Sequence, residues 1–290
     1  MPELISRYKH LIITLGLISL CFLLVYYQVV LQLAYSWDNN PNYSHGYFIP
    51  FVSAFMVWYK SQEIFGQTIS PSPLPGMLLV LAGLAQLIVG WVGTVNFLQA
   101  TSMIPVLTGL SLVFWGGAVT RRLLAPILFL IFMIPLPAII WNQMAFPLAL
   151  LASKIAAFSM DSIGLFILRE GNILYLPDVT LQVEEACSGL RSLTTLFALS
   201  ALIAYMSPLG RLSKLIVFLS AVPIAVVGNI VRLIATGVLA KYFGAMVAEG
   251  FIHDFSGWLL FFFGLVFLVF LQDWLSRWHA RGRDQEKGAS

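Results

Sequence analysis

Runs of about 20 apolar residues recur along this chain, and that is the length a bilayer core requires of a helix. Eight such spans can be read: residues 11–33, 46–59, 77–93, 97–116, 122–140, 188–206, 212–235 and 255–275. Lipid supplies no partner for backbone N–H and C=O groups, so runs of this kind are confined to helices unless the chain closes a barrel. Composition agrees. Of the 290 residues, 59% are hydrophobic and 10% charged, whereas a soluble globule carries about a quarter charged. The fold class is therefore all-α: a polytopic membrane helical bundle of about eight transmembrane helices, with a small outer β-hairpin. Residues 1–290 read as one integral membrane domain with a polar cytoplasmic tail at about 276–290, of which the last dozen residues look disordered. The opening MPELISRYKH resembles a signal peptide, but the apolar run behind it continues to Leu33. That is too long for an h-region, so the first helix is read as retained.

Lysine and arginine set the orientation. With both termini inside, 11 of the 16 basic residues fall on the inner side, from Arg7 and Lys9 through Arg121, Arg122, Arg211 and Lys214 to the tail. Lys154, Arg169, Arg191, Arg232 and Lys241 are left in outer loops or near outer helix ends. The segment 141–187 is then outside, as are 34–45 and 236–254. Residues 142–161 read as an amphipathic or re-entrant helix with Trp141 and Phe146 at the interface. The motif NILYLPDVTLQV holds two β-prone runs around Pro177-Asp178, a hairpin at about 172–183. Ile134-Pro135-Leu136-Pro137 should end or kink the fifth span.

Unusual polar residues gather in those outer regions. VEEACSGLRSL places Glu184, Glu185, Cys187, Ser188, Gly189 and Arg191 at the mouth of the sixth span. A helix N-terminus offers free N–H groups and about half a positive charge, which favours a thiolate and can cradle an oxyanion. The plainer reading of Cys187 is a small buried apolar residue. Arg191 lies one turn deeper and can pair with Glu185 or Glu184, as a structural ion pair, or help hold the thiolate. VVGNIVRLIATG puts Arg232 inside an apolar helix, at an insertion cost of about 2.5–3.5 kcal/mol. Asn229 and Thr236 share its face, against the alternative of an arginine snorkelling to the interface. EGFIHDFSGW puts His253 at the mouth of the eighth span, with Asp254 as its helix cap. NYSHGYFIP places Ser44 and His45 at the mouth of the second, as polar contacts to substrate or to Glu184, or as a cap. Cys21, in mid-span, is read as packing only. Two thiols make no disulfide framework. No ligand spacing suggests a metal and no glycine motif a nucleotide, so no cofactor is expected. A net charge of +3 is too small and dispersed for nucleic acid.

Cys187, Arg232 and His253 thus converge on one membrane face, and a thiol, a guanidinium and an imidazole are what acyl transfer to sulfur requires. EACSGLRSL, NIVRLIATG and GFIHDFSGW, in that order, resemble the exosortase/archaeosortase family of membrane cysteine transpeptidases, and YSHGYFIP resembles its first outer motif. The resemblance covers roughly residues 40–275, and histidine at position 253 points to its bacterial, exosortase side. It implies Cys187 as nucleophile, with Arg232 and His253 completing the catalytic set. It also implies a multi-pass protein of the bacterial cytoplasmic (inner) membrane, with both termini inside and the site outside. Expected partners are secreted proteins ending in a PEP-CTERM-like sorting signal (motif, transmembrane helix, basic cluster), membrane lipid, and an unknown acceptor nucleophile. The additional C-terminal soluble domain of some exosortases is not expected after the eighth span. The hairpin can receive the extended motif by strand addition.

Three rivals differ in what they require. A transporter needs polar groups at the bilayer centre. A serine-type protease needs Ser44 and His45 as a nucleophile–base pair. A non-catalytic assembly protein for surface polysaccharide export makes Cys187, Arg232 and His253 dispensable.

Overall fold

The computed structural model describes residues 2–177, 180–182, 189–244 and 251–288. The chain divides into two compact units, Met1–Pro135 and Leu136–Ser290.

The first unit begins with α1 (Pro2–Asn39). It stops where Asn40 caps the next turn, its side chain accepting from the Asn42 N–H at 3.0 Å, and where Pro41 has no N–H to continue the ladder. A 3-10 helix (Pro41–Tyr47) carries the Ser44-His45-Gly46 motif and leads into α2 (Ile49–Tyr59) and α3 (Ser61–Phe65). Then come α4 (Pro73–Val92), α5 (Asn96–Thr101), α6 (Met103–Trp115) and α7 (Gly117–Phe129).

The tightest packing in this unit is between α4 and α6. Gly76, Gly83 and Gly90 are buried at seven-residue spacing along α4. A Cβ at Gly76 would lie 2.8 Å from the Gly109 carbonyl oxygen, and one at Gly109 would lie 2.7 Å from the Gly76 oxygen. Small residues let membrane helices approach backbone to backbone, where van der Waals contact replaces a hydrophobic drive that lipid cannot supply. Buried polar groups are paired at the neighbouring contacts: Gln99 Nε2 of α5 donates to the Gly90 oxygen of α4 at 3.0 Å, and Tyr26 of α1 shares a hydrogen bond of 3.0 Å with Ser102. Gly116, at φ +80, turns α6 into α7 against the Ser70 carbonyl, where no side chain has room.

The bend expected at residues 134–137 is present. α7 gives way to a 3-10 turn (Leu130–Met133), then to extended backbone at Ile134. The expected span 122–140 is therefore not one helix: α7 starts at Gly117 and includes Arg121 and Arg122, the latter 3.6 Å from Glu63.

The second unit opens with α8 (Ala138–Ser162). The sequence reading kept 142–161 outside as an amphipathic or re-entrant helix. Here the helix runs 25 residues and is long and apolar enough to cross a membrane. Ala145, Ala149, Ala152, Ala156 and Met160 form its buried stripe, and all but Ala145 join one core cluster with Leu233 and Ala240.

Three short antiparallel strands follow: β1 (Leu168–Glu170), β2 (Ile173–Tyr175) and β3 (Thr180–Gln182), in that order. The β2–β3 pair, with Leu174 opposite Leu181, is the expected hairpin, and β1 is an addition. Its turn uses Gly171 at φ +62, and the Gly171 carbonyl is fastened to α8 by the Ser153 hydroxyl at 3.1 Å.

Four helices complete the unit: α9 (Gly189–Met206), α10 (Arg211–Leu219), α11 (Ala221–Phe243) and α12 (Phe251–Gly288). The expected disordered tail is instead the last part of α12, whose Arg, Gln, Glu and Lys are good helix formers. Arg277 also pairs with Asp273 at 2.7 Å, one turn apart.

Among the described residues, six helices are long and apolar enough to span by length and composition: 16–39, 73–92, 96–115, 138–162, 211–243 and 261–278. Two shorter apolar helices, Ile49–Tyr59 and Leu193–Met206, fall within expected spans. The chain is a polytopic helical membrane bundle bearing one small sheet.

Replacing Gly76 by alanine forces two backbones apart and is expected to cost about 1–3 kcal/mol. Gly117→Ala, with no atom within 4 Å of the added methyl, should cost nothing. Unfolding midpoints of the two variants in detergent check this.

Candidate functional site

Two of the candidate catalytic positions, Arg232 and His253, lie on α11 and α12, and the third precedes α9 in the sequence; these three helices pack on one another. A Cβ on Gly264 of α12 would lie 3.1 Å from Leu196 Cδ2 of α9 and 3.3 Å from Ile224 Cγ2 of α11, so one layer crosses all three. A second layer, Ala204, Leu209, Val217 and Leu275, lies toward the basic end of α10. From the first layer to the second the residue number rises in α9 and α12 and falls toward α10 on the other strand of the bundle. α11 therefore runs antiparallel to its two neighbours.

Heights follow from the rise of 1.5 Å per residue in a helix. Measured from the Leu196–Ile224–Gly264 layer, the start of α9 at Gly189 is about 10 Å away, Arg232 about 12 Å, and position 253 about 16 Å. All three lie in the same direction. The packing thus gathers the first turn of α9, the middle of α11 and the first turn of α12 at one end of the helix group. Cys187, Glu185 and Ser188 precede α9 and lie outside the described residues. Gly189 and Arg191 are placed in α9, and His253 and Asp254 in α12, by backbone alone.

Arg232 is the member of the set whose side chain is described. It is 9% exposed, and Asn229 (9%) and Thr236 (6%) share its buried face. The face lies between the side of α11 that meets α8, through Leu233 and Ala240, and the side that meets α9, through Ala221 and Ala225. This is not a snorkelling arginine, because a snorkelling head group reaches water. Asn229 Oδ1 is buried without a hydrogen-bond partner among the described residues. The sheet adjoins the same end of α11, with Leu174 and Leu176 packed around Leu233 and Ala240. Beyond it, Lys241 Nζ donates to the Gly164 carbonyl at 3.3 Å, closing the turn after α8.

Ser44 and His45 belong to the first unit. Ser44 is exposed and donates to the Pro41 carbonyl at 3.2 Å. His45 Nε2 donates to the Phe132 carbonyl at 3.2 Å, while Trp37 Nε1 donates to the Met133 carbonyl at 2.8 Å. The 3-10 turn frees those carbonyls from the helical ladder, and the two rings cap them. A side chain at Gly46 would run into the Trp37 indole. The motif thus has a structural job, joining α1 to the end of α7. Neither contact forms a Ser44–His45 nucleophile–base pair. Nothing in the local sequence announced the role, since His45 and its acceptor are 87 positions apart. Among the described residues no group of three or more His, Cys, Asp and Glu could hold a metal ion.

A family model described as transmembrane exosortase (Exosortase_EpsH) matches residues 37–270, which include all three candidate catalytic positions. The chain belongs to the transmembrane exosortase family. No curated protein and no solved structure gives a significant match. Within this exosortase, the matched region begins at Trp37, the residue that caps Met133, and ends within α12.

Burial pushes the His45 imidazole below its ordinary value, and the Phe132 carbonyl pulls the other way. The folded state therefore binds a proton less readily than the unfolded chain. Stability from this group is full above the unfolded value of 6.5 and is lost as pH falls below it. The unfolding midpoint of the wild type should drop as pH is lowered from about 7 to 5, and His45→Gln should flatten that slope. Thermal unfolding at stepped pH reads both.

Proposed function

We propose that this chain is a membrane cysteine peptidase/transpeptidase that cleaves a C-terminal PEP-CTERM-like sorting signal and transfers the secreted protein to an acceptor. The observation that carries the reading is the exosortase family match spanning Cys187, Arg232 and His253. The burial of Arg232 on a polar helix face supports it, because lipid exposure gives no reason to hold a guanidinium there.

In this reading the protein lies in the bacterial inner membrane with both termini in the cytoplasm and the site on the opposite side. The substrate's hydrophobic helix is received laterally, with its basic cluster inside and its motif level with Cys187. The Cys187 thiolate attacks the scissile carbonyl, and the carbonyl π electrons move to oxygen. Arg232 and N–H groups at the start of α9 hold that oxyanion. As it collapses, the C–N bond breaks and His253 protonates the departing amine. The resulting thioester is resolved by the acceptor nucleophile or by water. No cofactor is required for this chemistry. The extended motif can add to an edge strand of the sheet, beside the same end of α11. Glu185, Ser188, Gly189, Arg191 and Asp254 flank the reacting groups in sequence and support them.

Cys187→Ala is expected to insert and fold normally and to leave a tagged sorting-signal substrate uncleaved. Arg232→Gln is expected to lose at least about 100-fold in turnover. Mass spectrometry of the wild type, quenched during turnover, should find the substrate acyl group on Cys187. Full cleavage by Cys187→Ala sinks the nucleophile assignment.

A further inference from the structure

Asn229 stands one turn before Arg232 on the buried face of α11, and its Oδ1 finds no hydrogen-bond partner among the described residues. A buried acceptor left in that state destabilises the fold, so an apolar residue of similar volume would serve folding better. The oxygen therefore answers to something other than the packing of the described residues. Leu233 and Ala225, the apolar residues on either side of it along the helix, show that α11 can fill this depth with hydrocarbon.

An extended peptide drawn to that depth has the opposite defect. Its N–H groups leave water and find no ladder to join, which hydrocarbon does nothing to offset. One such N–H and the Asn229 oxygen satisfy each other. An amide oxygen is suited to this task, since it accepts a hydrogen bond without placing a second charge beside Arg232.

Building on the peptidase reading above, we infer that Asn229 Oδ1 accepts a hydrogen bond from a backbone N–H of the substrate flanking its scissile bond, making Asn229 a substrate-positioning residue. The contact exists in the bound ground state as much as in the transition state, so it governs KM rather than kcat.

The test uses the full-length chain in liposomes. Sorting-signal substrates carry single amide-to-ester replacements on either side of the scissile bond, each of which deletes one N–H. Asn229→Leu should unfold at or above the wild-type temperature. It should raise KM about tenfold and leave kcat within about twofold. One ester should raise the wild-type KM by a similar factor and have no further effect on Asn229→Leu, because both changes remove the same bond. Asn229→Gln, which keeps a neutral amide oxygen, should bring KM back toward the wild-type value.

If ester and variant effects multiply at every position, the contact is not there. If Asn229→Leu unfolds at lower temperature while its folded fraction keeps a wild-type KM, the residue is structural and the inference falls. Undiminished cleavage by Cys187→Ala would remove the thiol mechanism alone, since the ester comparison still reads the Asn229 contact. A wild-type chain that neither binds nor cleaves these substrates overturns both.

Discussion

Keeping a guanidinium inside a bundle that faces lipid is the constraint around which the second unit is arranged. Arginine cannot shed its charge to escape the cost, as a carboxylate or lysine can. It must be enclosed by protein, and enclosure needs neighbours on both sides of its helix. α11 has them: the alanine stripe of α8 on one flank, and α9 with α12 on the other. The stripe matters because small side chains bring the helix axes close. Larger residues at Ala149, Ala152 and Ala156 would hold α8 away and open a path from hydrocarbon to Arg232. The burial of one polar face thus depends on the smallness of an apolar one.

The two units solve the same problem by different means. In the first, backbone approaches backbone at the glycines of α4, and polar side chains cap carbonyls that irregular turns release. In the second, polar groups are concentrated on one helix face, and the small sheet covers the end of that helix. Ser153 ties the sheet to α8 through the Gly171 carbonyl, so the hairpin moves with the helix pair beneath it.

Much of the architecture was legible because lipid leaves the chain few choices. Apolar length revealed α1, α4, α6 and α11, and the prolines at 135 and 137 marked the break after α7. What escaped was whatever depends on a distant partner. Residues 142–161 read as an amphipathic or re-entrant helix because the lysine and arginine bias puts 141–187 outside, yet the alanines of α8 face α11 in a regular stripe. β1 is three exposed residues whose only local signal is the Glu170-Gly171-Asn172 turn. The polar face around Arg232 was legible, since Asn229, Arg232 and Thr236 fall on one side of any α-helix. Its burial was not, because that is decided by α8 and α9. His45 was read as a substrate contact or a cap for α2, and its bond goes to a carbonyl in another helix.

The glycines of α4 recur every seven residues, while a straight α-helix returns to the same bearing only after slightly more than seven. Gly76 and Gly83 face α6 and Gly90 faces Gln99 of α5, so a strict seven-residue repeat on this seam favours a gentle winding of α4 about the α5–α6 run. Two rods wound together resist being prised apart, because separating one level means unwinding the next. Separation of this close-packed pair is therefore harder than separation at seams of the first unit that lack such glycines.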